Sequence, residues 1–525
     1  MHMKRKRALS LAGIVVPLVI ALVGGLVGCG GGNSGGVVPP PNGLAWWGFG
    51  RDAQHSALGG IATQPLVRIQ WSTPVDLAPR SEAGVALFIH YGSPVITSQN
   101  TLVVPVKTGV TDGFKFEARS GYSGALVWSA TSDYILPAHN WTPSYNLALT
   151  LGNRVYAPGA GGKLIYRDDV DSATGATQTA VFYGSSAYAA SPAIYDSSIF
   201  INTPLTTDTQ GNVFFGFIAT GTNPAGLAGG IARIAPDGTG TWIGAAAASG
   251  DMSVSKVVMN SAPALSPDLQ TLYVAVNNSL GEAVARQTGY LLALDSTTLA
   301  LKSKIALNDP KTGVAATLND NGTSSPSVGP DGDVFFGVLE SNRPAHNLRG
   351  YLLHFDATLS QTKTPGSFGW DTTASILPAS MLPSYTGSST YLLVTKYNNY
   401  GGAGTGDGKH RMALLDPNQG QADMISGIPV MQEILTILGV TADPDYPGGV
   451  AEWCINSAAV DPLTRSVLMN SEDGFLYRWD LSTNTFSERL PLDGGLGGSS
   501  YTPTAIGPDG RVYAINNASL FSVGR

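Results

Sequence analysis

The sequence predicts an all-β protein that folds as an eight-bladed β-propeller. Three observations support this prediction. The 525 residues include 65 Gly and 33 Pro, which favours short strands joined by turns. Only 13% of the residues are charged, and few segments have the amphipathic pattern of a long helix. A unit of short strands also recurs along the chain at a spacing typical of propeller blades.

Each copy of the unit opens with a short segment that usually contains Pro. A turn, a strand rich in Val, Tyr or Phe, and a second hairpin follow. Eight openings can be identified: Ser93-Pro94, Thr142-Pro143, Thr203-Pro204, Ala262-Pro263, Ser325-Pro326, Leu382-Pro383, Ser457-Ala458 and Thr502-Pro503. Ser191-Pro192 is an alternative opening for the third copy. A ring of seven blades remains an alternative if one copy is an insertion.

The two ends of the propeller are predicted to complete each other. The last copy, residues 499–525, contains only three short strands around the turn Gly507-Pro508-Asp509-Gly510. Residues 66–75 alternate like a strand but have no hairpin partner nearby. Pairing these two segments would close the ring and remove both free edges. We therefore predict that an N-terminal strand closes the propeller.

Two local features are interpreted through the repeat. Residues 429–439 (PVMQEILTILG) have the end signals of a helix, but their place in the repeat requires a fourth strand, which we favour. Aspartates recur just after the third strand of several copies, and this recurrence predicts turn caps rather than catalytic acids. These aspartates are Asp295, Asp356, Asp416 and Asp480.

The N-terminus has the pattern of a bacterial lipoprotein signal. Residues 4–7 (KRKR) precede an apolar run that ends in Leu26-Val27-Gly28-Cys29, which resembles a lipobox. The resemblance implies cleavage before Cys29 and lipidation of this cysteine. A plain signal peptide or a membrane-spanning anchor is the alternative. Gly30 follows the cysteine instead of Asp, which implies the outer membrane, on its periplasmic or surface face.

The predicted domains follow from this pattern. Residues 1–28 form the signal peptide, and residues 29–43, rich in Gly and Pro, form a flexible tether. Residues 44–525 form the propeller. The only other cysteine, Cys454, is then unpaired, so neither a disulfide framework nor a cysteine-based zinc site is expected.

Parts of the sequence resemble the pyrroloquinoline-quinone-like propeller family. Residues 47–55 (WGFGRDAQH) are similar to the entry segment of these proteins. Residues 118–128 (ARSGYSGALVW) keep the first Ala, the Gly and the Trp of the family's repeat, but have Ser120 and Ser123 in place of Asp and Thr. The family includes quinoprotein dehydrogenases, which use adjacent cysteines over the quinone and a Ca²⁺ ion, and non-enzymatic propellers. This chain has no adjacent cysteines and no Cys-x-x-Cys-His haem motif.

The resemblance and the lipobox together predict a binding or scaffold protein of the cell envelope. Its expected partner is an envelope protein or a glycan, and its membrane contact is the lipid anchor. The net charge of −7 argues against nucleic acid. We predict a monomer without a cofactor or a catalytic residue. The alternative is an enzyme at the channel mouth: a quinone-dependent dehydrogenase with pyrroloquinoline quinone and Ca²⁺, or a hydrolase or lyase.

Polar and aromatic residues just before the blade openings are the candidate ligand-binding residues, because this position is the mouth of the central channel in propellers. They are His90, His139, Asn140, Trp141, Asn260, Trp453, Asn456 and Tyr501. The competing interpretation is that these side chains make hydrogen bonds and packing contacts between blades. No metal ligands could be assigned. The loop-rich residues 397–456 are a further candidate recognition surface.

Overall fold

The computed structural model describes residues 45–79, 81–82, 86–87, 91–139, 145–278, 287–320, 322, 324–492 and 500–525. The predicted signal peptide, the tether and Cys29 lie outside these ranges. None of the helices in the described ranges has the length and apolar composition that crossing a membrane requires.

Eight small antiparallel sheets form the blades of a propeller, so the predicted fold class is confirmed. Strand β1 (Arg68–Pro74) and the small hairpin β2 (Ser81–Glu82) and β3 (Ala86–Leu87) precede the first complete blade. Blade 1 consists of β4 (Val95–Ile96), β5 (Thr101–Lys107), β6 (Phe114–Ser120) and β7 (Leu126–Ser132). Blade 2 consists of β8 (Ala148–Leu149), β9 (Val155–Pro158), β10 (Lys163–Arg167) and β11 (Gln178–Val181).

Blades 3 and 4 each have two short inner segments that pair with the same second strand. Blade 3 consists of β12 (Ile199–Ile201), β13 (Thr206–Thr207), β14 (Val213–Ala219), β15 (Gly230–Ile234) and β16 (Gly240–Gly244). Blade 4 consists of β17 (Lys256–Val257), β18 (Ala264–Leu265), β19 (Thr271–Asn277), β20 (Gly289–Asp295) and β21 (Leu301–Ala306). The helices α1 (Ser185–Ala190), α2 (Pro192–Ser198) and α3 (Ala245–Ser249) are short and lie in connections.

Blade 5 differs from the others because its sheet has three strands, β22 (Ser327–Val328), β23 (Val334–Val338) and β24 (Tyr351–Phe355). Blade 6 consists of β25 (Ser375–Pro378), β26 (Tyr391–Tyr397), β27 (Arg411–Ala422) and β28 (Pro429–Leu438). Blade 7 consists of β29 (Ala459–Asp461), β30 (Ser466–Asn470), β31 (Phe475–Asp480) and β32 (Thr485–Pro491). Two single turns of 3-10 helix occur at Ala160–Gly162 and Ala379–Met381.

The predicted closure of the ring is confirmed. Blade 8 consists of β33 (Ala505–Ile506), β34 (Val512–Asn516) and β35 (Ser519–Gly524), and β1 is its fourth strand. The pairing of β1 with β35 runs from Arg68 opposite Gly524 to Pro74 opposite Ser519. The N-terminal strand therefore shields the edge that the last copy would otherwise leave open.

Three further interpretations can be compared with the structure. Residues 429–438 form the predicted fourth strand, β28. The sixth opening was wrong, because the inner strand is Ser375–Pro378 and Leu382 follows it in a turn. The pattern misled because the true opening, Thr372-Thr373, contains no Pro. Ser191-Pro192 does not open a blade either, since Pro192 is the first residue of α2.

The recurrent aspartates are turn caps, as predicted. The Asp295 carboxylate accepts hydrogen bonds from the backbone N–H groups of Thr297 and Thr298. Asp480 accepts equivalent bonds from Ser482 and Thr483. Asp356 and Asp416 likewise accept backbone N–H groups a few residues ahead. Their recurrence thus reflects local turn geometry.

Residues 46–59, here called the central segment, run along the inner strands of the ring. Trp46 pairs with Ile96 of blade 1, and the Trp47 carbonyl accepts the N–H of Leu149 in blade 2. The carbonyls of Ala53, Gln54, Ser56 and Ala57 then accept backbone N–H groups from blades 4, 5, 6 and 7 in that order. The segment therefore contacts successive blades and fills the channel at the level of the inner strands.

His55 is the titratable group at the middle of the central segment. Its side chain is fully buried, and Nδ1 lies 2.7 Å from the carbonyl oxygen of Pro326 in blade 5. Nε2 lies 3.5 Å from the hydroxyl of Thr206 in blade 3. Burial lowers the pKa of His55 from 6.5 to about 4, although the Pro326 carbonyl and Asp52 oppose this shift. The fold thus requires a neutral imidazole at its centre.

We expect this histidine to make the protein acid-sensitive. Because the unfolded chain binds the proton more tightly than the folded chain, the His55 contribution is complete above pH 6.5 and is lost as the pH falls towards 4. The loss amounts to about 3 kcal/mol in the free energy of unfolding. Chemical denaturation of wild type and His55→Gln between pH 7 and 4 measures it. The variant should lose stability less steeply, whereas the control His139→Gln should follow wild type.

Candidate functional site

A ring of hydrogen bonds joins all eight blades around the channel, mostly through the residues that precede the inner strands. Neighbouring blades share one such contact at each joint. These contacts are Ser93 N to Asn146 Oδ1, Thr207 Oγ1 to Leu149 O, Asn260 N to Asn202 O, Ala262 N to Ser325 Oγ, Ser325 N to Thr373 Oγ1, Thr373 N to Asn456 O, Asn456 N to Tyr501 O, and Thr502 Oγ1 to Tyr91 O.

Three predicted site residues belong to this ring through their backbones: Asn260, Asn456 and Tyr501. The Trp453 indole is 1% exposed and packs on Tyr477 and Phe486, with ring centroids 5.3 and 5.8 Å away. It therefore lies in the core between blades rather than facing the channel. These positions agree with the inter-blade interpretation, and ligand binding by the same residues stays a prediction.

The remaining predicted residues are placed only in part. His139 is half-buried, and its Nδ1 lies 2.6 Å from the carbonyl oxygen of Pro137. His90, Asn140 and Trp141 lie outside the described residues. The expected convergence of His90, His139, Trp141 and Trp453 on one pocket is therefore untested for three of the four side chains' mutual contacts.

Three buried lysines lie at the same end of the propeller as the ring, and each pairs with an aspartate. Lys107 contacts Asp76 at 3.2 Å, Lys256 contacts Asp320 at 2.5 Å and Lys396 contacts Asp371 at 3.6 Å. All six side chains are less than a tenth exposed. Each cation is thus neutralised inside the protein, as burial of a charge requires.

A cluster of two carboxylates and a thiol lies on the blade 7 side of the mouth. The ligating atoms of Glu452, Cys454 and Glu472 all lie within 4.8 Å of one another. Cys454 is buried and donates its Sγ–H to Glu472 at 3.4 Å, while the Glu472 carboxylate also accepts the N–H of Glu452 at 3.2 Å. We call these three residues the acidic cluster.

Two tyrosines flank the acidic cluster electrostatically. Burial, and then the charge of Glu452, raises the pKa of Tyr400 well above its ordinary value. Burial, Cys454 and the two glutamates do the same for Tyr501. Burial and the same two carboxylates also raise the pKa of the Cys454 thiol. The thiol and both phenols therefore stay protonated at neutral pH, so none of them is an activated nucleophile or base.

The acidic cluster is the described group whose chemistry suits a cation. Carboxylate oxygens and a thiol sulfur are ligands that divalent metals accept. Sequence analysis identified Glu452 and Cys454 only as part of a distinctive stretch and missed Glu472. The usable signal was the position of Glu472 just after the second strand of its blade, which brings it level with the residues before the inner strand.

The fold and this channel mouth define an eight-bladed β-propeller of the pyrroloquinoline-quinone-like type. A europium-containing methanol dehydrogenase has a TM-score of 0.52 and 11% identity, over 89% of this chain and 88% of that one. The quinohemoprotein alcohol dehydrogenase from Comamonas testosteroni has a TM-score of 0.52 and 12% identity, over 92% and 81%. BamB from Moraxella catarrhalis has a TM-score of 0.42 and 12% identity, over 87% and 97%. Neither a protein-family model nor a curated protein matches the sequence.

The charges at the mouth do not fit pyrroloquinoline quinone. The quinone carries three carboxylates, which require cationic or N–H partners in a low-dielectric site. Lys107, Lys256 and Lys396 are already committed to aspartates. Glu452 and Glu472 add negative charge on the opposite side. Among the described residues, therefore, the mouth offers a tricarboxylate repulsion rather than neutralisation.

Proposed function

We propose that the protein is a binding or scaffold propeller of the cell envelope, anchored by a lipid on Cys29. The observation that carries this proposal is how the polar groups of the mouth are used. Backbone groups join the blades in a ring, and the lysines neutralise aspartates. The thiol and phenols of the mouth are held protonated. Such an arrangement favours a rigid recognition surface over acid–base or nucleophilic chemistry.

The proposed partner is an envelope protein or glycan with cationic groups that approaches the mouth beside the acidic cluster. Glu452 and Glu472 are partly exposed, so their carboxylates can meet such groups without unfolding the blade. Complementary charge at a partly exposed site contributes specificity and association rate more than affinity. The quinone-dependent dehydrogenase remains the second candidate function, because two solved dehydrogenases share the fold.

Affinity purification of the full chain from crosslinked envelopes tests the proposal. We expect one envelope component to co-purify with wild type and to be depleted at least fivefold with Glu452→Gln/Glu472→Gln, because the charge is removed while size is kept. Asp237→Asn, an exposed turn carboxylate in blade 3, is the matched control and should retain the component. The Cys29→Ser variant should move from the membrane fraction to the soluble fraction.

Two outcomes would contradict this proposal. Equal recovery of the component with wild type and the double variant would remove the acidic cluster from the interface. Dye-linked alcohol oxidation by purified protein after addition of pyrroloquinoline quinone and Ca²⁺ would favour the dehydrogenase instead. Wild-type protein that remains soluble without detergent would exclude the lipid anchor.

A further inference from the structure

The outer hairpin of blade 6 extends across its neighbour. Strands β27 and β28 pair over their whole length, with a register shift between Asp416 and Gly420. Beyond this shift the hairpin reaches blade 5, whose sheet has three strands. The N–H of Met431 donates to the Pro365 carbonyl at 2.8 Å, and Ile428 packs on the core of blades 4 and 5. Residues 423–428 form the tip of this hairpin.

Asp423 holds the tip on blade 5. Its carboxylate accepts the N–H of Ile425 at 3.1 Å and the hydroxyl of Ser426 at 2.7 Å, which shapes the turn. The same carboxylate accepts the hydroxyl of Ser367 and lies 3.2 Å from His346 Nε2, both from the blade 5 region. The side chains of His346 and Asp423 are 1% and 4% exposed. The anchor is therefore buried.

Both ring nitrogens of His346 face oxygen acceptors. Nε2 faces the Asp423 carboxylate, and Nδ1 lies 2.9 Å from the carbonyl oxygen of Gly350. A neutral imidazole has one N–H and one lone pair, so it can satisfy only one of these acceptors. The imidazolium form has two N–H groups and satisfies both. The geometry therefore selects the protonated ring.

We propose that residues 423–428 are a pH-sensitive strap over blade 5. The His346 imidazolium and the Asp423 carboxylate hold the strap closed, and loss of the imidazolium proton loosens it. No covalent step is involved, since a proton is simply exchanged with water. Loosening would uncover Ile428 and the apolar surface of blades 4 and 5 beneath it.

The surrounding charges favour this direction of switching. Asp423 stays ionised because the hydrogen bonds from His346, Ser367 and Ser426 outweigh burial and hold its pKa well below the ordinary range. The other groups facing His346 are Tyr351, Glu340, Asp309 and Arg349. The Tyr351 ring stacks on the imidazole with centroids 4.2 Å apart. Glu340 accepts the Gly350 N–H, Asp309 and Glu340 act on Tyr351, and Arg349 donates to the Ser367 carbonyl.

Catalysis by this group of Ser367, His346 and Asp423 is not the interpretation. The serine hydroxyl and the aspartate both meet the same ring nitrogen, Nε2, whereas a catalytic triad places them on opposite nitrogens. All three residues are also less than a tenth exposed, so no substrate reaches them.

Amide hydrogen exchange of the full chain at pH 5.5 and 8.5, corrected for intrinsic rates, tests the strap. We expect the amides of residues 425–427 to be protected at least tenfold less at pH 8.5. Amides of β34 in blade 8 serve as the internal reference and should change little. His346→Gln carries a neutral donor, so its tip should be weakly protected at both pH values. His354→Gln is the matched control, because His354 is a second buried histidine of blade 5, paired with Asp333 at 2.9 Å.

Two results would overturn the proposal. Equal protection of the tip at both pH values in wild type would show that the strap does not respond to pH. A pH dependence that persists in His346→Gln would assign the response to another group. If His346→Gln fails to fold, long-range ¹H–¹⁵N correlation spectra of the wild-type histidines decide, since a His346 ring that is singly protonated at pH 5.5 contradicts the proposed closed state.

Discussion

A chain that ends at Ile515 is expected to lose the cooperative fold of the whole ring rather than fray at one end. The truncation removes β35, which pairs with β34 on one side and β1 on the other. It also removes the fully buried side chains of Leu520 and Val523, each contributing about 1.5–3 kcal/mol to the free energy of unfolding. The lost strand thus costs a large share of the roughly 5–15 kcal/mol that stabilises a typical domain.

Thermal denaturation followed by circular dichroism measures this effect. The truncated chain should be insoluble or should melt without a cooperative transition. Removal of Arg525 alone is the control, because it leaves every residue of β35 in place, and it should shift the midpoint by no more than a few degrees. A truncated chain that melted at the wild-type midpoint would show that pairing of β1 and β35 is not needed for the ring.

Replacing Asp320 by Ala is expected to cost about 3–5 kcal/mol in the free energy of unfolding, because it leaves the Lys256 charge buried without its carboxylate. Asp320 also accepts hydrogen bonds from Asn277 and Gln287, at 3.4 and 3.3 Å. Burial already lowers the pKa of Lys256, against the attraction of Asp320. Without that attraction the folded state favours the neutral amine more strongly, so the variant should become less stable as the pH falls from 10 towards 7.

Urea denaturation at several pH values tests this expectation. The double variant Lys256→Met/Asp320→Asn should recover most of the loss, because it removes the charge and keeps an amide acceptor. Asp168→Ala is the comparison, since Asp168 pairs with Arg154 on the surface and is 42% exposed, and it should cost less than about 1 kcal/mol. If Asp320→Ala were as mild as Asp168→Ala, the buried pair would not be a major element of stability.

The blade pattern was predictable from the sequence because each blade carries its own turn residues and strands. Prolines marked most openings, and the alternation of residues 66–75 identified the closing strand. The sixth opening failed for the same reason that the others succeeded: Thr372-Thr373 has no proline to mark it. The long strand β28 was assigned correctly because the repeat constrained an ambiguous apolar run.

The side-chain pairs could not be predicted in the same way. Asp320 lies in a different blade region from Lys256, and His346 reaches Asp423 across two blades. Sequence patterns report local periodicity, whereas these pairs depend on how blades are arranged around the ring. For the same reason Trp453 was expected at the mouth, although its indole packs between Tyr477 and Phe486.

The central segment has a consequence for how such a chain can evolve. Because residues 46–59 meet successive inner strands in a fixed order, their length matches a ring of eight units. A ring with one unit fewer or one more would place Ala53, Gln54 and Ser56 opposite the wrong strands. Blade number is therefore specified by a part of the chain that lies outside the repeats, and duplication or loss of a single repeat has to be accompanied by a change in that short stretch.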